Sequence, residues 1–201
     1  MAFLVIAGAY LLGSIPFGYL FTRLFKQVDI RSHGSGNIGA TNVLRLMGWG
    51  AALPVLLLDV AKGSVAVLLA RALSGETAVV LAAALAVLVG HCFPLFLKFK
   101  GGKGAATGIG LLIPLAGDVC AAAVLLAVVV IVLSRYVSLG SLVGATSVPF
   151  FLLFFGYDAL HLLFGAAMAL LVIVRHRENI GRLLSGTESK FGQKINPDGG
   201  K

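Results

Sequence analysis

Residues 77–97, TAVVLAAALAVLVGHCFPLFL, form an apolar stretch that contains no lysine, arginine, aspartate or glutamate. A helix that crosses a bilayer needs about 20 mostly apolar residues, because about 30 Å of hydrocarbon is covered at 1.5 Å per residue. This stretch meets that length, and similar runs recur along the chain of 201 residues. The sequence therefore predicts an all-α protein that crosses a membrane several times.

The composition excludes most other classes of protein. Hydrophobic residues make up 59% of the chain, charged residues make up 12%, and the mean hydropathy is +1.00. A soluble domain carries about 25% charged residues, so a soluble domain and a disordered chain are both excluded. Cys92 and Cys120 are the two cysteines, too few for a disulfide scaffold or a cysteine-based metal site.

Seven stretches are predicted as the spans of a polytopic membrane helical bundle. They are Ala2–Leu24, Ala51–Ala72, Thr77–Leu97, Ala105–Gly117, Val119–Ser134, Val137–Phe155 and Ala159–Val174. The fourth and fifth are short and are interpreted as two helices with a turn near Asp118. Proline and glycine, here Pro114 and Gly117, interrupt helices, and a lone carboxylate is costly in lipid.

The distribution of basic residues predicts the orientation of the bundle. With seven spans, all but Lys62 and Arg71 of the 16 lysines and arginines fall on one side. Because basic loops tend to stay in the cytoplasm, we expect the N-terminus outside and the C-terminus in the cytoplasm. Joining the fourth and fifth spans would send the basic tail outward. We expect a single domain over 1–192 and a polar tail at 193–201, for which a cloning remnant is one explanation.

Three polar segments fall on the predicted cytoplasmic side: Ser32–Arg45, Gly90–Thr107 and Arg175–Glu188. Each combines glycines with hydrogen-bond donors and a cation. Glycines let backbone N–H groups approach an anion closely, and a helix N-terminus favours negative charge. Taken alone, each segment also fits an ordinary basic loop or turn. Together they predict a site for one or two phosphate-bearing substrates.

The three segments resemble the motifs of the bacterial acyl-phosphate-dependent glycerol-3-phosphate acyltransferase family. The matching stretches are residues 35–45, 91–107 and 176–188, within a match that runs from Met1 to about Gly192. The resemblance implies an inner-membrane enzyme that transfers a fatty acyl group from acyl phosphate to the 1-hydroxyl of glycerol 3-phosphate. The implied products are lysophosphatidic acid and phosphate, in the first step of phospholipid synthesis.

The resemblance also implies roles for individual residues. Those implied in activity are Ser35, Arg45, His176 and Asn179. Those implied in binding acyl phosphate are Gly101, Gly102 and Gly104, while Glu188 is implied in structural integrity. No metal or cofactor is implied, and we expect activity in the presence of a chelator. The expected partners are the two substrates and membrane lipid, with no nucleic acid and no obligate protein partner.

Acyl phosphate is already activated, so the site must hold two anions, align a hydroxyl with a carbonyl and stabilise the developing charge. Arg45 and Lys103 are the candidate phosphate-binding cations. Ser35 and Asn179 are candidates for positioning the glycerol or the oxyanion. The remaining residues expected to bind substrate are Gly36, Asn37, Thr41, Asn42, Lys100, Gly101, Gly102, Gly104, Thr107 and Arg182.

Several alternatives stay open at this point. The proton acceptor is either His176 or an oxygen of the donor phosphate, and we favour the phosphate. A covalent intermediate on Ser35 is less favoured, because no His–Asp/Glu arrangement adjoins it. An organic-anion transporter and a non-catalytic lipid-binding protein are the other classes. Asp59 and Lys62 lie three residues apart inside the second span and fit a structural ion pair or, in a transporter, an ion path.

Overall fold

The computed structural model describes residues 1–193, which form ten α-helices joined by short connections. The helices are α1 (Ala2–Gly13), α2 (Phe17–Lys26), α3 (Ala40–Met47), α4 (Trp49–Leu73), α5 (Thr77–Cys92), α6 (Ala105–Leu115), α7 (Gly117–Ser134), α8 (Val137–Phe154), α9 (Ala159–Arg175) and α10 (Arg177–Leu184). No strand occurs in this range, so the predicted all-α class is confirmed. The predicted tail at 193–201 lies outside the described residues beyond Gln193 and stays a prediction.

Five helical stretches are long and apolar enough to cross a membrane. They are Ala2–Lys26, Trp49–Leu73, Thr77–Leu97, Gly117–Ser134 and Val137–Phe154. Helices α9 and α10 meet at an angle of 61° and add a sixth stretch if they are taken together. Large apolar side chains project outward, such as Val132 and Leu133 on α7, which are 70% and 80% exposed. An apolar outer surface of this kind fits lipid, and the chain is an integral membrane helical bundle.

Each predicted span coincides with helix, but the first is divided into two helices and the α-helix of the third ends at Cys92. Pro16 separates α1 from α2, because proline lacks an N–H and clashes with the preceding turn of a helix. The predicted break near Asp118 is present, at Ala116 between α6 and α7. Helix α6 has 11 residues and is about 16 Å long, too short to cross a bilayer alone.

Glycines bring neighbouring helices into backbone contact and thereby fix α6. A Cβ on Gly110 of α6 would lie 1.9 Å from Val60 O of α4, and one on Gly63 of α4 would lie 2.6 Å from Thr107 O. Small residues allow this close approach between helices in a membrane. The contact holds the N-terminus of α6 and the loop before it at one end of the bundle. We call this end the basic end; it also carries α3, α10 and the loop at 27–39.

Candidate active site

The three polar segments meet at the basic end, as the sequence predicts. Arg175 Nε and Nη2 donate hydrogen bonds to Gly102 O and Gly101 O, at 3.0 and 2.9 Å. Lys103 Nζ donates to Asn179 Oδ1. Arg45 of the first segment donates to Ser189 O, just beyond the third segment, at 3.5 Å. The segments therefore build one site.

Two adjoining cavities lie among these segments. The larger has a volume of about 560 Å³, is lined mainly by apolar residues of α6, α7 and α8, and has Arg45 and Asn179 at its polar end. The smaller, about 550 Å³, is polar. Its charged lining residues are Asp29, Arg31, Lys100, Lys103, Arg175, Arg177 and Glu178. Ser35, Asn37 and Lys103 line both cavities, so the boundary between the two lies at these residues.

Asn42, in the first turn of α3, organises the first polar segment. Its Nδ2 donates to His33 O and Asn37 O at 3.0 and 2.9 Å, and its Oδ1 accepts from Ser35 N at 3.2 Å. Gly36 adopts φ +67°, a left-handed conformation that glycine accommodates without strain. A buried amide bonded at both ends fixes the loop, so Asn42 sets the positions of Ser35 and Asn37 at the cavity boundary.

The second polar segment needs its glycines because it packs closely on the end of α5. A Cβ on Gly101 would lie 2.3 Å from His91 O, and one on Gly102 would lie 2.0 Å from His91 Nε2. Gly104, with φ +88°, is the residue that precedes α6. Within residues 1–193 no acceptor is bound by the backbone N–H groups of residues 104–106. These groups point to an anion site at the N-terminus of α6.

Glu188 links the third segment to α8 and to the partner of Lys103. Its Oε1 accepts hydrogen bonds from Ser138 Oγ and Asn179 Nδ2, and its Oε2 accepts from Arg182 Nε, all at 2.7 Å. Burial raises the pKa of this carboxyl, but the three hydrogen bonds outweigh burial, and the pKa lies below its usual value. A chain of polar contacts thus runs from Lys103 through Asn179 to an ionised Glu188.

Burial lowers the pKa of both candidate phosphate-binding cations, with different consequences for their charge. Burial lowers the pKa of Lys103 to about 8, and the positive charge of Arg182 adds to that effect. Burial also lowers the pKa of Arg45, which nevertheless stays protonated, as arginines in proteins do. Lys103 is therefore the cation of the site whose charge changes within an accessible pH range.

His176 lies at the bend between α9 and α10 and lines the larger cavity. Its Nδ1 is 2.8 Å from Val172 O. Because a carbonyl oxygen only accepts, Nδ1 carries the hydrogen and Nε2 keeps a free lone pair. Burial lowers the pKa of His176 to about 4, so the ring is neutral at physiological pH.

Most of the predicted site residues border the cavities. Those that line at least one are Ser35, Gly36, Asn37, Thr41, Asn42, Arg45, Lys100, Gly101, Lys103, Gly104, His176, Asn179 and Glu188. Gly102, Thr107 and Arg182 line neither cavity, and their expected substrate contacts stay predictions. Gly102 packs on His91, Thr107 is fully buried against α4, and Arg182 binds Glu188.

The structure adds residues that sequence reasoning did not assign to the site. Arg175 binds the carbonyls of Gly101 and Gly102 in the loop at 98–104, here called the glycine loop, and its guanidinium carbon lies 4.9 Å from the ring centre of Phe93. Its place in the third polar segment was the only signal for it. Ser138 lies in the first turn of α8 and donates a hydrogen bond to Glu188, but no motif surrounds it in the sequence. Asp59 and His91 also border the larger cavity.

An apolar cavity that ends at a cationic site, within a membrane bundle, fits an integral membrane protein that binds a phosphate-bearing amphiphile. The chain belongs to the glycerol-3-phosphate acyltransferase family, whose model matches residues 3–186. It is therefore an acyltransferase, as the three motifs predict.

Relatives of high identity carry the same name. The glycerol-3-phosphate acyltransferase of Desulforamulus reducens is 48% identical over 191 residues, covering 95% of this chain and 96% of the relative. That of Halalkalibacterium halodurans is 44% identical over 200 residues, covering 96% of this chain and 97% of the relative.

Two crystal structures of PlsY (YgiH), an integral membrane glycerol 3-phosphate acyltransferase, have closely similar folds. The glycerol 3-phosphate form has a TM-score of 0.91, with 41% identity over 95% of this chain and 96% of that one. The lysophosphatidic acid form has a TM-score of 0.88, with 41% identity over 95% of each chain.

Proposed function

We propose that this chain transfers a fatty acyl group from acyl phosphate to the 1-hydroxyl of glycerol 3-phosphate and releases lysophosphatidic acid and phosphate. The observation that carries the proposal is the boundary between the two cavities. At Ser35, Asn37 and Lys103 an apolar cavity meets a polar, cationic one. An acyl donor in the first and a water-soluble phosphate ester in the second would place their reacting groups next to each other.

The larger cavity suits the alkyl chain of the donor. It extends between α6, α7 and α8 from the polar site to Leu112 and Cys120. Burial of an alkyl chain contributes about 0.8 kcal/mol per methylene. Trp49 of α4 and Val128 of α7 line this cavity and are 62% and 48% exposed, so an opening toward lipid lies between these helices. We propose that the donor enters from the bilayer through this opening.

The phosphate of the donor is proposed to bind at the N-terminus of α6. The free N–H groups of residues 104–106 and the positive end of the helix favour an anion there. The ammonium of Lys103 adds a full charge beside them, and Asn179 orients that ammonium. Because its amide contacts Lys103 on one side and Glu188 on the other, we assign Asn179 to positioning Lys103 rather than to direct contact with glycerol.

Glycerol 3-phosphate is proposed to enter through the smaller cavity. Arg31, Lys100 and Arg177 would attract its phosphate, while Arg45 lies on the other side of the cavity boundary. Two phosphate-bearing substrates repel one another, which explains why so many cations converge. Alignment of the hydroxyl with the acyl carbonyl supplies roughly 7–11 kcal/mol of the barrier in well-oriented reactions.

In the transfer itself, the 1-hydroxyl oxygen bonds to the carbonyl carbon and the bond from that carbon to the phosphate oxygen breaks. The hydroxyl proton goes to an oxygen of the departing phosphate or to His176 Nε2. A general base works best when its pKa lies near the operating pH. The pKa of His176 is about 4, which makes it a weak acceptor and supports the phosphate as the acceptor.

We further propose seven crossings, with the N-terminus outside, the C-terminus in the cytoplasm and the site at the cytoplasmic face of the inner membrane. In this proposal the short helix α6 makes the fourth crossing together with the loop that precedes it. The positive-inside distribution of lysines and arginines supports this orientation. No metal, cofactor, nucleic acid or obligate protein partner enters the proposed reaction.

The test is a product assay on the purified protein in lipid vesicles. Acyl phosphate and glycerol 3-phosphate together should give lysophosphatidic acid and phosphate in equal amounts, with or without chelator. Replacing acyl phosphate by an acyl thioester should abolish turnover. Movement of glycerol 3-phosphate across sealed vesicles without product would favour a transporter, and binding without either would favour a lipid-binding protein.

A further inference from the structure

Two opposite charges are buried in α4, inside the membrane-spanning part of the bundle. Asp59 and Lys62 are 2% and 3% exposed, and Lys62 Nζ lies 2.8 Å from Asp59 Oδ1. Ionised side chains at this depth are costly and are retained where they serve a purpose. The proposed reaction does not use either of them directly.

The contacts of Lys62 explain its own position. Its Nζ donates a 3.0 Å hydrogen bond to Ile15 O, in the non-helical stretch between α1 and α2. It also lies 5.5 Å from the ring centre of Phe17. A carbonyl left free at a helix end requires a donor, and a cation near a helix C-terminus is favourable. Lys62 therefore stabilises the interruption between α1 and α2 and also neutralises the charge of Asp59.

His91 lies between Asp59 and the glycine loop. Its Oδ1 lies 3.5 Å from His91 Nδ1, and neither atom makes a well-directed hydrogen bond with another group in residues 1–193. The opposite edge of the ring packs on Gly102, where a Cβ would lie 2.0 Å from His91 Nε2. The backbone of the same two residues is joined by the bond from Gly102 N to His91 O, at 3.0 Å.

The glycine loop is thus held from two sides. Arg175 binds the carbonyls of Gly101 and Gly102 on one side, and His91 supports Gly102 on the other. With the loop fixed in this way, the N–H groups of residues 104–106 stay free at the N-terminus of α6.

We infer that Asp59, Lys62 and His91 form a buried positioning network for the glycine loop and thereby set the affinity of the site for the phosphate of the acyl donor. A carboxylate repels phosphate, so Asp59 acts through His91 rather than on the substrate. This inference rests on the proposed function, in which the phosphate binds at residues 104–106.

Two variants test the network. The double variant Asp59→Leu/Lys62→Met removes both charges together, a change that buried ion pairs often tolerate without loss of the fold. The variant His91→Asn keeps both charges and a polar group facing Asp59, but it removes the ring edge that supports Gly102. The control is Asp118→Asn, which removes the negative charge from a 2.8 Å contact with Tyr157 at the start of α7, far from the loop.

The readouts are the KM for each substrate, kcat, the Kd of inorganic phosphate and the melting temperature in detergent. Both test variants should raise the KM for acyl phosphate and the Kd of phosphate by roughly 10–100-fold, by analogy with the range seen when the groups that orient metal ligands are lost. The KM for glycerol 3-phosphate should stay within about twofold of wild type, as a change confined to one substrate's binding requires. The control should match wild type in every constant.

Unchanged KM and Kd in folded variants would overturn the inference, and so would a rise confined to the KM for glycerol 3-phosphate. If the double variant does not fold, His91→Asn decides the question alone. Phosphate binding tests the network even without turnover. A wild-type protein that binds phosphate but forms no product would contradict the proposed function. The positioning network would then be tested by the Kd of phosphate for the variants and for wild type alone.

Discussion

Lys103 and Asn179 are hydrogen-bonded to each other although 76 positions separate them in the sequence. The bond joins the loop before α6 to α10, which are two of the three polar segments. Asn179 in turn donates to Glu188, so the ammonium at the cavity boundary is linked to a buried carboxylate. The position and the charge of Lys103 are therefore set by residues far along the chain.

The pKa of Lys103 predicts how activity depends on pH. Burial lowers this pKa to about 8, so the free enzyme loses the ammonium as the pH rises through that value. In the proposed function the charged form binds phosphate, so kcat/KM should fall by about tenfold for each pH unit above 8, as expected for loss of one required proton. A profile of kcat/KM against pH between pH 6 and 10 measures this fall.

The variant Lys103→Arg keeps its charge throughout that range, since an arginine in a protein does not deprotonate. Its profile should lack the fall near pH 8, even if its kcat/KM is lower at pH 7. A fall at the same pH in the arginine variant would assign the titration to another group.

The variant Glu188→Gln should lower both stability and activity. The neutral amide forms no ion pair with Arg182 and has one acceptor oxygen where the carboxylate has two, so at least one of the three hydrogen bonds is lost. Hydrogen bonds to a charged group are each worth about 1.5–3 kcal/mol. Melting in detergent should show a destabilisation of that order, and kcat/KM should fall because Asn179 loses its anchor. The exposed Glu76→Gln, at the other end of the bundle, is the matched control.

The lowered pKa of Glu188 predicts how the stability of the protein changes in acid. The pKa of Glu188 is lowered in the folded protein, so its stabilisation is present above the unfolded value of about 4.3 and is lost as the pH falls through the folded value. The difference in melting temperature between wild type and Glu188→Gln should therefore shrink on acidification below pH 4.

The sequence was sufficient for the helical class and the location of most of the site. Apolar length predicts the helices, and residue types within three segments predict most of the cavity lining, including Arg45 and Lys103. The lining that the three segments predict is the polar part; the apolar residues of α6, α7 and α8 that line the larger cavity are outside them. The predicted features are local, because a hydrophobic run or a glycine-rich cationic loop is complete within one stretch of chain.

Contacts between distant elements could not be predicted in this way. Nothing around Ser138 indicates a hydroxyl bound to Glu188, and nothing around Gly102 indicates that its missing side chain makes room for His91. Thr107 shows the converse: a hydroxyl beside a glycine loop suggests a ligand, yet the contact between α4 and α6 buries it. Such outcomes depend on which helix faces are packed together.

The variant His176→Ala distinguishes the two proton acceptors. If the donor phosphate takes the proton, the variant loses only packing and orientation, and kcat should fall by less than about 10³, whereas a general base contributes roughly 10²–10⁴. Wild type should also show no change in rate near pH 6.5, because the pKa of His176 is about 4. A loss above 10³ at every pH would assign the proton to His176 Nε2.

The variant Gly101→Ala should abolish most of the activity. The added Cβ would lie 2.3 Å from His91 O, a backbone atom that cannot move aside without shifting the loop. Phosphate release under saturating substrate measures the loss. The control Gly181→Ala places a Cβ with no heavy atom within 4 Å, on exposed α10, and should keep activity and gain about 0.5–1 kcal/mol of stability.

Single cysteines test the proposed orientation. Cys92 and Cys120 are buried, so they give little background with a membrane-impermeant maleimide. Leu184, 85% exposed at the end of α10, and Glu76, exposed in the turn between α4 and α5, lie at opposite ends of the bundle. In intact cells Glu76→Cys should react while Leu184→Cys reacts only after the membrane is opened. The reverse pattern would place the site at the outer face, where a soluble intracellular phosphate ester cannot reach it, and would contradict the proposed topology.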